Sequence, residues 1–166
     1  MTDEERQATF LAMLRQSEGI LLTLCIHLGR RRENVNDLYQ DVVCDLWEHW
    51  HTFRGQSSPK TWAIRVALNT IGQKMRWERR QVRVVQLDQQ KLEKIAEERD
   101  DPEIETLYRL IDRLGNTERQ LLLLYLEDLS MAEIAYATGL SENAAKQKIY
   151  RIKKKLKRLK EEDENE

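Results

Sequence analysis

The most constraining stretch of this 166-residue chain is its positively charged C-terminal segment, which has the pattern of two helices joined by a tight turn. Ser130 and Glu133 have the S-x-x-E spacing of a capping box, which predicts a helix start at that point. Gly139 can adopt the left-handed backbone conformation that ends a helix. Ser141 is a favourable N-cap for a second helix. The segment therefore predicts a short helix, a small-residue turn and a longer helix.

The longer helix is predicted to be strongly amphipathic. Its apolar residues recur at steps of four, three, four and three, which is the spacing of one helical face; they are Ala145, Ile149, Ile152, Leu156 and Leu159. The range Ser141–Lys160 contains nine basic residues and one acid, Glu142. In a helix-turn-helix the second helix enters the DNA major groove with its N-terminal residues at base edges. This pattern favours DNA binding over the alternative, a solvated basic helix that caps an ordinary bundle.

The composition indicates a soluble and helical chain, with 40% hydrophobic and 34% charged residues. Alternation of β-branched residues is nearly absent, Val82–Val85 being the one short candidate strand, so we predict an all-α fold. The net charge is −1, but the charges are segregated along the chain. Lys60–Arg83 carries seven basic residues and one acid, whereas Gln86–Glu105 carries eight acids and three basic residues. Two basic blocks with an acidic spacer predict two contact surfaces.

Other classes of function find little support in the sequence. It contains no P-loop motif, nucleophile elbow or pair of catalytic acids, so we predict no enzymatic activity, catalytic residue or cofactor. The histidines and cysteines do not supply four ligands at structural-zinc spacing, so no metal site is predicted. Cys25 and Cys44 lack CxxC spacing and are expected to be buried thiols in a reducing cytosol. The longest uncharged apolar run, Gly19–Gly29, is too short to span a bilayer, which predicts a cytoplasmic chain without membrane insertion.

The first half of the chain predicts three helices. The first covers Glu4–Gly29, and the second starts near Asn36 and ends near Trp50. The third starts at Ser58-Pro59, a cap followed by proline at the first helical position, and ends near Arg83.

One face of the second helix carries four acids, which we call the acidic ridge: Asp37, Asp41, Asp45 and Glu48. Tyr39 and Gln40 are expected to be exposed beside it. The ridge predicts a basic protein partner, and a solvated helix face is the alternative interpretation.

The third helix and the polar loop before it predict contact with single-stranded nucleic acid. Arginines on the outer side of this helix can hold phosphates, and aromatic side chains near a loop can stack on unpaired bases. The alternative is a solvated arginine-rich face with Trp62 in the core.

The spacer and the start of the second half are also predicted from local signals. Residues 84–102 are expected to form a flexible or partly helical acidic linker that ends at Asp101-Pro102. Thr117 and Gln120 have the spacing of another capping box, which predicts the start of a helix that buries Leu121–Leu124.

Two segments resemble a bacterial RNA polymerase sigma factor of the extracytoplasmic-function (ECF) group. Region 2 of that group is similar to DLYQDVVCDLWEHWHTFRGQSSPKTWAIRVALNTIGQKMRWERR, and region 4 is similar to LGNTERQLLLLYLEDLSMAEIAYATGLSENAAKQKIYRIKKKLKRL. Together with the first helix, the resemblance covers Phe10–Leu159 in the right order. It implies two small all-α domains, region 2 at 4–83 and region 4 at 103–160, joined by the linker. It also implies a factor that binds core RNA polymerase and directs promoter-specific initiation.

The resemblance implies roles for individual residues. Contacts to core polymerase are implied for Asp37, Gln40, Asp41 and Trp47. Contacts to the −10 promoter element, which region 2 melts, are implied for Phe53, Arg54, Ser57, Lys60, Thr61, Trp62, Arg65, Asn69 and Arg76. Reading of the −35 element is implied for Ser141, Glu142, Asn143, Lys146, Gln147, Lys148 and Arg151. Promoter DNA is thus a second partner, and an anti-sigma factor that covers the same surfaces is a further partner common in the family.

The chain also departs from the family pattern, and two other functions stay open. Lys148 stands where arginine is common, and lysine cannot form the rigid bidentate fork of arginine, which bears on the −35 preference. A polymerase-independent helix-turn-helix repressor or activator would explain the C-terminal segment but not the acidic ridge or the loop near Trp62. An adaptor that binds polymerase but not DNA is the third interpretation.

Overall fold

The computed structural model describes residues 1–29, 35–78 and 101–165, which form seven α-helices and one short 3₁₀ turn, Trp50–Thr52. The helices are α1 (Asp3–Leu28), α2 (Val35–His49), α3 (Pro59–Glu78), α4 (Pro102–Asp112), α5 (Asn116–Leu126), α6 (Met131–Thr138) and α7 (Glu142–Glu164). These ranges contain no strand, which confirms the predicted all-α fold. Val82–Val85, the predicted helix end near Arg83 and most of the predicted linker lie outside the described residues. The chain divides into two compact units, one carrying α1–α3 and the other most of α4–α7.

The core of the first unit is formed where α1, α2 and α3 pack against one another. α1 starts with a reciprocal capping box between Thr2 and Glu5. It ends at Gly29, where a Cβ atom would clash with the carbonyl oxygen of Cys25. The fully buried side chains of this core include Leu21, Leu24, Val42, Leu46 and Ile64.

α1 is the one helix among the described residues whose length and composition would allow it to cross a membrane. Its uncharged run alone is short, but apolar residues before that run, among them Leu11, Met13 and Leu14, extend the apolar stretch toward the N-terminus. The buried face of α1 packs on α2 and α3, and Leu21 and Leu24 have no exposed surface. This packing assigns α1 to the core of a globular bundle.

The described part of the second unit starts where Asp101 caps α4. The Asp101 Oδ1 atom accepts a hydrogen bond from the Glu103 amide at 2.9 Å. The prediction of a Thr117–Gln120 capping box is wrong, because α5 begins at Asn116 with Gly115 as its N-cap and Thr117 lies inside the first turn. The prediction that Leu121–Leu124 are buried is confirmed, since none is more than 3% exposed.

The helix-turn-helix segment has the predicted local structure. Ser130 and Glu133 form the capping box, with amide-to-side-chain distances of 2.8 and 3.1 Å. Gly139 has a φ of +77°, the left-handed conformation that favours glycine. The Ser141 hydroxyl accepts a hydrogen bond from the Ala144 amide at 3.1 Å, and α7 packs on α4 and α5. The predicted apolar stripe is buried, apart from a half-buried Leu156.

Two buried groups in the first unit link stability to alkaline pH. Burial raises the pKa of the Cys25 thiol from 9.0 to about 12. Burial, with smaller contributions from the charges of Glu18 and Cys25, raises the pKa of Tyr39 from 10.0 to about 12. The unfolded chain releases these protons near the ordinary pKa values, so above about pH 9 the native state binds more protons than the unfolded state. The free energy of unfolding should therefore be unaffected by these groups below pH 9 and fall as the pH rises toward 12.

Replacing Cys25 by alanine should reduce this alkaline loss. The measurement is urea denaturation of the wild type and of Cys25→Ala at pH 8 and pH 10. The variant is expected to be less stable at pH 8, because a buried side chain is shortened, but to lose less stability between the two pH values. An equal loss in both proteins would show that the Cys25 proton does not contribute.

A candidate interface for nucleic acid and protein

The N-terminal half of α7 presents an exposed polar and basic surface. All seven residues predicted to read a −35 element lie within its first three turns or at its cap, and all are exposed: Ser141, Glu142, Asn143, Lys146, Gln147, Lys148 and Arg151. Among the described residues, no ion pair involves Lys146, Lys148 or Arg151. The three cations are therefore available to an external anion.

The C-terminal half of α7 differs, because several of its cations are engaged inside the second unit. The Lys153 ammonium donates a hydrogen bond to the Tyr125 hydroxyl at 2.6 Å. Lys155 forms an ion pair with Glu118 at 2.9 Å. Arg158 approaches Glu162 at 4.0 Å within α7. The basic helix thus has an open first half and a second half whose charges are partly compensated.

Tyr150 is a candidate residue that the sequence analysis did not single out. It lies between Ile149 and Arg151 on α7 and is 59% exposed. The Lys154 ammonium lies 4.6 Å from the centroid of its ring, a cation–π contact. A large aromatic residue outside the apolar stripe of a basic helix was the available signal, since such a ring can stack on nucleic acid.

The outward side of α2 carries a row of exposed residues at steps of three, four and three: Asp37, Gln40, Cys44 and Trp47. Three of these are predicted polymerase contacts, and the Trp47 side chain is 40% exposed. The expectation that Cys44 is buried is wrong, because position 44 continues the outward row and not the buried face.

Two residues of the predicted acidic ridge contact α3, and the other two are exposed to solvent. The Lys74 ammonium lies 3.3 Å from the Asp41 carboxylate, and the Thr70 hydroxyl donates to Asp45 at 2.7 Å. Asp37 and Glu48 are exposed, whereas Tyr39, which was expected to be exposed beside the ridge, is buried against the core. The Asp41–Lys74 pair is open to solvent on both sides, and such pairs contribute only about 0–1 kcal/mol. Asp41 can therefore exchange Lys74 for another cation at little cost.

The loop before α3 rests on aromatic rings. Phe53 stacks on Trp50 with a centroid distance of 5.4 Å and an interplanar angle of 9°. Trp62 lies 5.6 Å from each of these rings. Gly55 has a φ of +77°, and the Arg54 amide donates to the Gln56 side chain at 2.8 Å. The turn therefore presents an exposed Arg54 and a half-buried Ser57 above an aromatic base.

Two of the predicted −10 residues are buried and do not face solvent. Thr61 is 2% exposed, and its amide and hydroxyl both bond the Ser58 hydroxyl, at 3.1 and 2.8 Å, which confirms Ser58 as the cap of α3. Trp62 is 5% exposed and belongs to the aromatic base. Both side chains are engaged in contacts that hold the loop. Thr61 bonds the Ser58 cap, and the Trp62 ring packs against Trp50 and Phe53.

The remaining predicted −10 residues lie on the outer side of α3. Arg65, Asn69 and Arg76 are exposed at steps of four and seven residues, and Lys60 is half-buried in the first turn. This arrangement is a basic face next to the loop. Within the described ranges, no group of three or more His, Cys, Asp or Glu side chains could hold a metal ion.

Comparison with known families and relatives gives consistent matches. Residues 13–81 match the family Sigma-70 region 2, and residues 104–156 match Sigma-70, region 4. The chain is 26% identical over 162 residues to the ECF RNA polymerase sigma factor SigX of Bacillus subtilis (strain 168), over 86% of this chain and 80% of SigX.

Two solved structures have a similar fold. One is CnrH in complex with the cytosolic domain of CnrY, with a TM-score of 0.69 and 20% identity over 95% of this chain and 90% of CnrH. The other is the sigma factor RpoE in complex with the anti-sigma factor NepR from Bartonella quintana, with a TM-score of 0.69 and 19% identity over 92% of this chain and 97% of RpoE. With both sigma-70 regions present in order and a relative of the same type that matches most of the chain, the chain belongs to the ECF group of RNA polymerase sigma factors, which direct transcription initiation.

Proposed function

We propose that the two units of this sigma factor divide promoter recognition between them. Residues 4–83 bind core polymerase and melt the −10 element, residues 103–160 read the −35 element, and residues 84–102 connect them. The observation that carries the proposal is the open basic half of α7 in a chain that also has a loop on an aromatic base. The protein acts in the cytoplasm by positioning polymerase and makes no covalent chemistry of its own.

We assign the −35 element to the first three turns of α7. Lysine and arginine there can donate to guanine O6 and N7, and each good base contact contributes about 1–3 kcal/mol of discrimination. Arg151 can do so bidentately, whereas Lys146 and Lys148 act as point charges. The exposed polar side chains at the start of the helix complete the reading surface: Ser141, Glu142, Asn143 and Gln147.

We assign the −10 element to the loop and the outer side of α3. Phe53, Arg54 and Ser57 would receive an unpaired base, because a base that has left the duplex exposes a face that can stack on an aromatic ring. The polar and basic side chains that follow hold the strand, mainly through phosphates: Lys60, Arg65, Asn69 and Arg76. Thr61 and Trp62 act indirectly, by keeping the loop in shape.

We assign core polymerase to the outward row of α2 together with Asp41. An exposed tryptophan next to carboxylates is typical of the anchor residues that dominate protein interfaces. A basic group of polymerase would replace Lys74 as the partner of Asp41. A protein that covers this row would block polymerase, and the anti-sigma factor bound to RpoE in the related structure supports regulation of this kind.

The proposal is tested by transcription with purified core polymerase on a random-promoter library. Selected templates should share two sequence blocks upstream of the start site. Gln40→Arg should abolish most transcripts, because it adds a positive charge to the row without disturbing an ion pair. Asp41→Arg would be less specific, since it breaks the ion pair with Lys74 and places a second cation beside that lysine. Gln16→Arg, an exposed glutamine of α1, is the matched control and should transcribe normally.

The contrary outcome is also defined. Binding to duplex DNA without polymerase association and without transcripts would contradict the proposed function. A polymerase-independent regulator would then be the better interpretation.

A further inference from the structure

Five aromatic side chains of the first unit form one connected series that runs from the surface of α2 to the loop before α3. Trp47 contacts Phe10 with a centroid distance of 5.0 Å, and Phe10 contacts Trp50 at 6.0 Å. Trp50 in turn contacts both Phe53 and Trp62. The series therefore joins α1, α2, the 3₁₀ turn, the loop and α3.

Phe10 joins Trp47 to Trp50 in this series although it belongs to none of the elements assigned to DNA or polymerase. Its ring is 5% exposed and meets Trp47 and Trp50 edge to face, at interplanar angles of 71° and 69°. Edge-to-face contacts fix the relative orientation of rings more strictly than aliphatic packing does. The Arg6 guanidinium, 4.8 Å from the Trp47 ring centroid, covers the outer end of the series.

The hydrogen bonds of the loop side chains join residues that are close in sequence. Gln56 bonds the Arg54 amide at 2.8 Å and, more weakly, the Thr52 carbonyl at 3.4 Å, and Ser58 caps α3 through Thr61. Phe53 is the loop residue whose ring contacts both Trp50 and Trp62. The orientation of Trp50, on which Phe53 stacks, therefore helps to determine the position of the Phe53 ring.

We propose that Phe10 is a positioning residue for capture of the −10 strand. Its ring holds Trp50, and Trp50 holds Phe53, so the loop has its binding shape before the unpaired strand arrives. A preformed loop avoids an ordering cost on binding, and therefore raises affinity for the single strand. This inference rests on the proposed assignment of the loop to the −10 element and extends the functional machinery to α1.

The test measures binding of a fluorescein-labelled single strand, the non-template −10 sequence of a selected promoter, to reconstituted polymerase holoenzyme. Phe10→Leu removes both edge-to-face contacts and should weaken strand binding about tenfold. Phe10→Tyr keeps the ring and should bind as the wild type does. Ile20→Val, a buried substitution further along α1, is the control for lost packing and should also bind normally. Binding of the −35 duplex should stay within about twofold in all variants. Because Phe10 also contacts Trp47, strand binding is measured at saturating core polymerase, so that weaker polymerase binding is not counted as lost strand binding.

Thermal melting by circular dichroism establishes that each variant is folded at the assay temperature, and Phe10→Met replaces Phe10→Leu if the latter is not. Unchanged strand binding by folded Phe10→Leu would overturn the inference, as would an equal loss in Ile20→Val. A wild-type holoenzyme that does not bind the strand would instead contradict the proposed role of the loop, so the two failures are distinguishable.

Discussion

Replacing Lys146, Lys148 and Arg151 together by alanine should weaken binding of the −35 duplex by at least about a hundredfold, because each lost contact costs about 1–3 kcal/mol. The three side chains are exposed within two adjacent turns at the open end of α7. The measurement is fluorescence anisotropy of holoenzyme with a labelled −35 duplex from a selected promoter. Because phosphate contacts release counterions, the affinity should also depend less steeply on salt concentration in the variant.

The same helix offers a matched control with an identical change of charge. Lys153, Lys155 and Arg158 are engaged by Tyr125, Glu118 and Glu162. Replacing them together by alanine also removes three positive charges. Binding of the −35 duplex should nevertheless weaken by less than about tenfold, since only long-range attraction is lost. Equal losses in the two triple variants would mean that total charge, and not position on α7, governs binding.

Replacing Leu124 by alanine should lower the free energy of unfolding of the second unit by about 2–5 kcal/mol, the range for a buried leucine whose removal leaves a cavity. Leu124 has no exposed surface, and its helix α5 packs directly on α7. Loss of this packing should therefore also reduce −35 binding at temperatures where the wild type is fully folded. Urea denaturation followed by circular dichroism measures the first effect.

The control for Leu124→Ala lies two residues further along the same helix. Leu126 is 42% exposed, so Leu126→Ala removes the same atoms from a site with little packing. Its effect should be within about 0.5 kcal/mol of zero, as for most surface substitutions. Similar destabilisation by both variants would contradict the assignment of Leu124 to the core.

Helix starts could be predicted from the sequence where one residue supplies the cap and no neighbouring residue offers an alternative N-cap. Ser58, Ser130 and Ser141 all cap as predicted, because the bonds they form span only three residues. Thr117 failed as a cap although its spacing to Gln120 was right. The helix reaches back to Asn116, where the Gly115 carbonyl accepts the first helical hydrogen bond from Arg119 at 2.9 Å. A capping box does not form when the helix begins further toward the N-terminus, because backbone carbonyls then bond the amides that the capping side chain would have bonded.

Whether a site residue is buried, paired or exposed depends on residues that are distant from it in the sequence. Thr70 bonds Asp45 across 25 residues, and Lys74 pairs with Asp41 from the neighbouring helix. Trp62 lies in the basic block and next to the loop, so its position in sequence suits contact with DNA. Its burial is decided by Trp50 and Phe53, with which it forms the aromatic base. No sequence window contains this information, because it arises only when α1, α2 and α3 come together.

The contrast between the two cysteines makes the native chain suitable for optical measurements. Thiolates, and not thiols, react with maleimide dyes, so the buried Cys25 with its raised pKa should stay unlabelled in the folded protein. Cys44 is exposed in the row with Gln40 and Trp47. A single fluorophore would therefore attach to the outward side of α2 without any engineered cysteine, and its emission would follow the arrival of polymerase, or of a protein that competes with it, in real time.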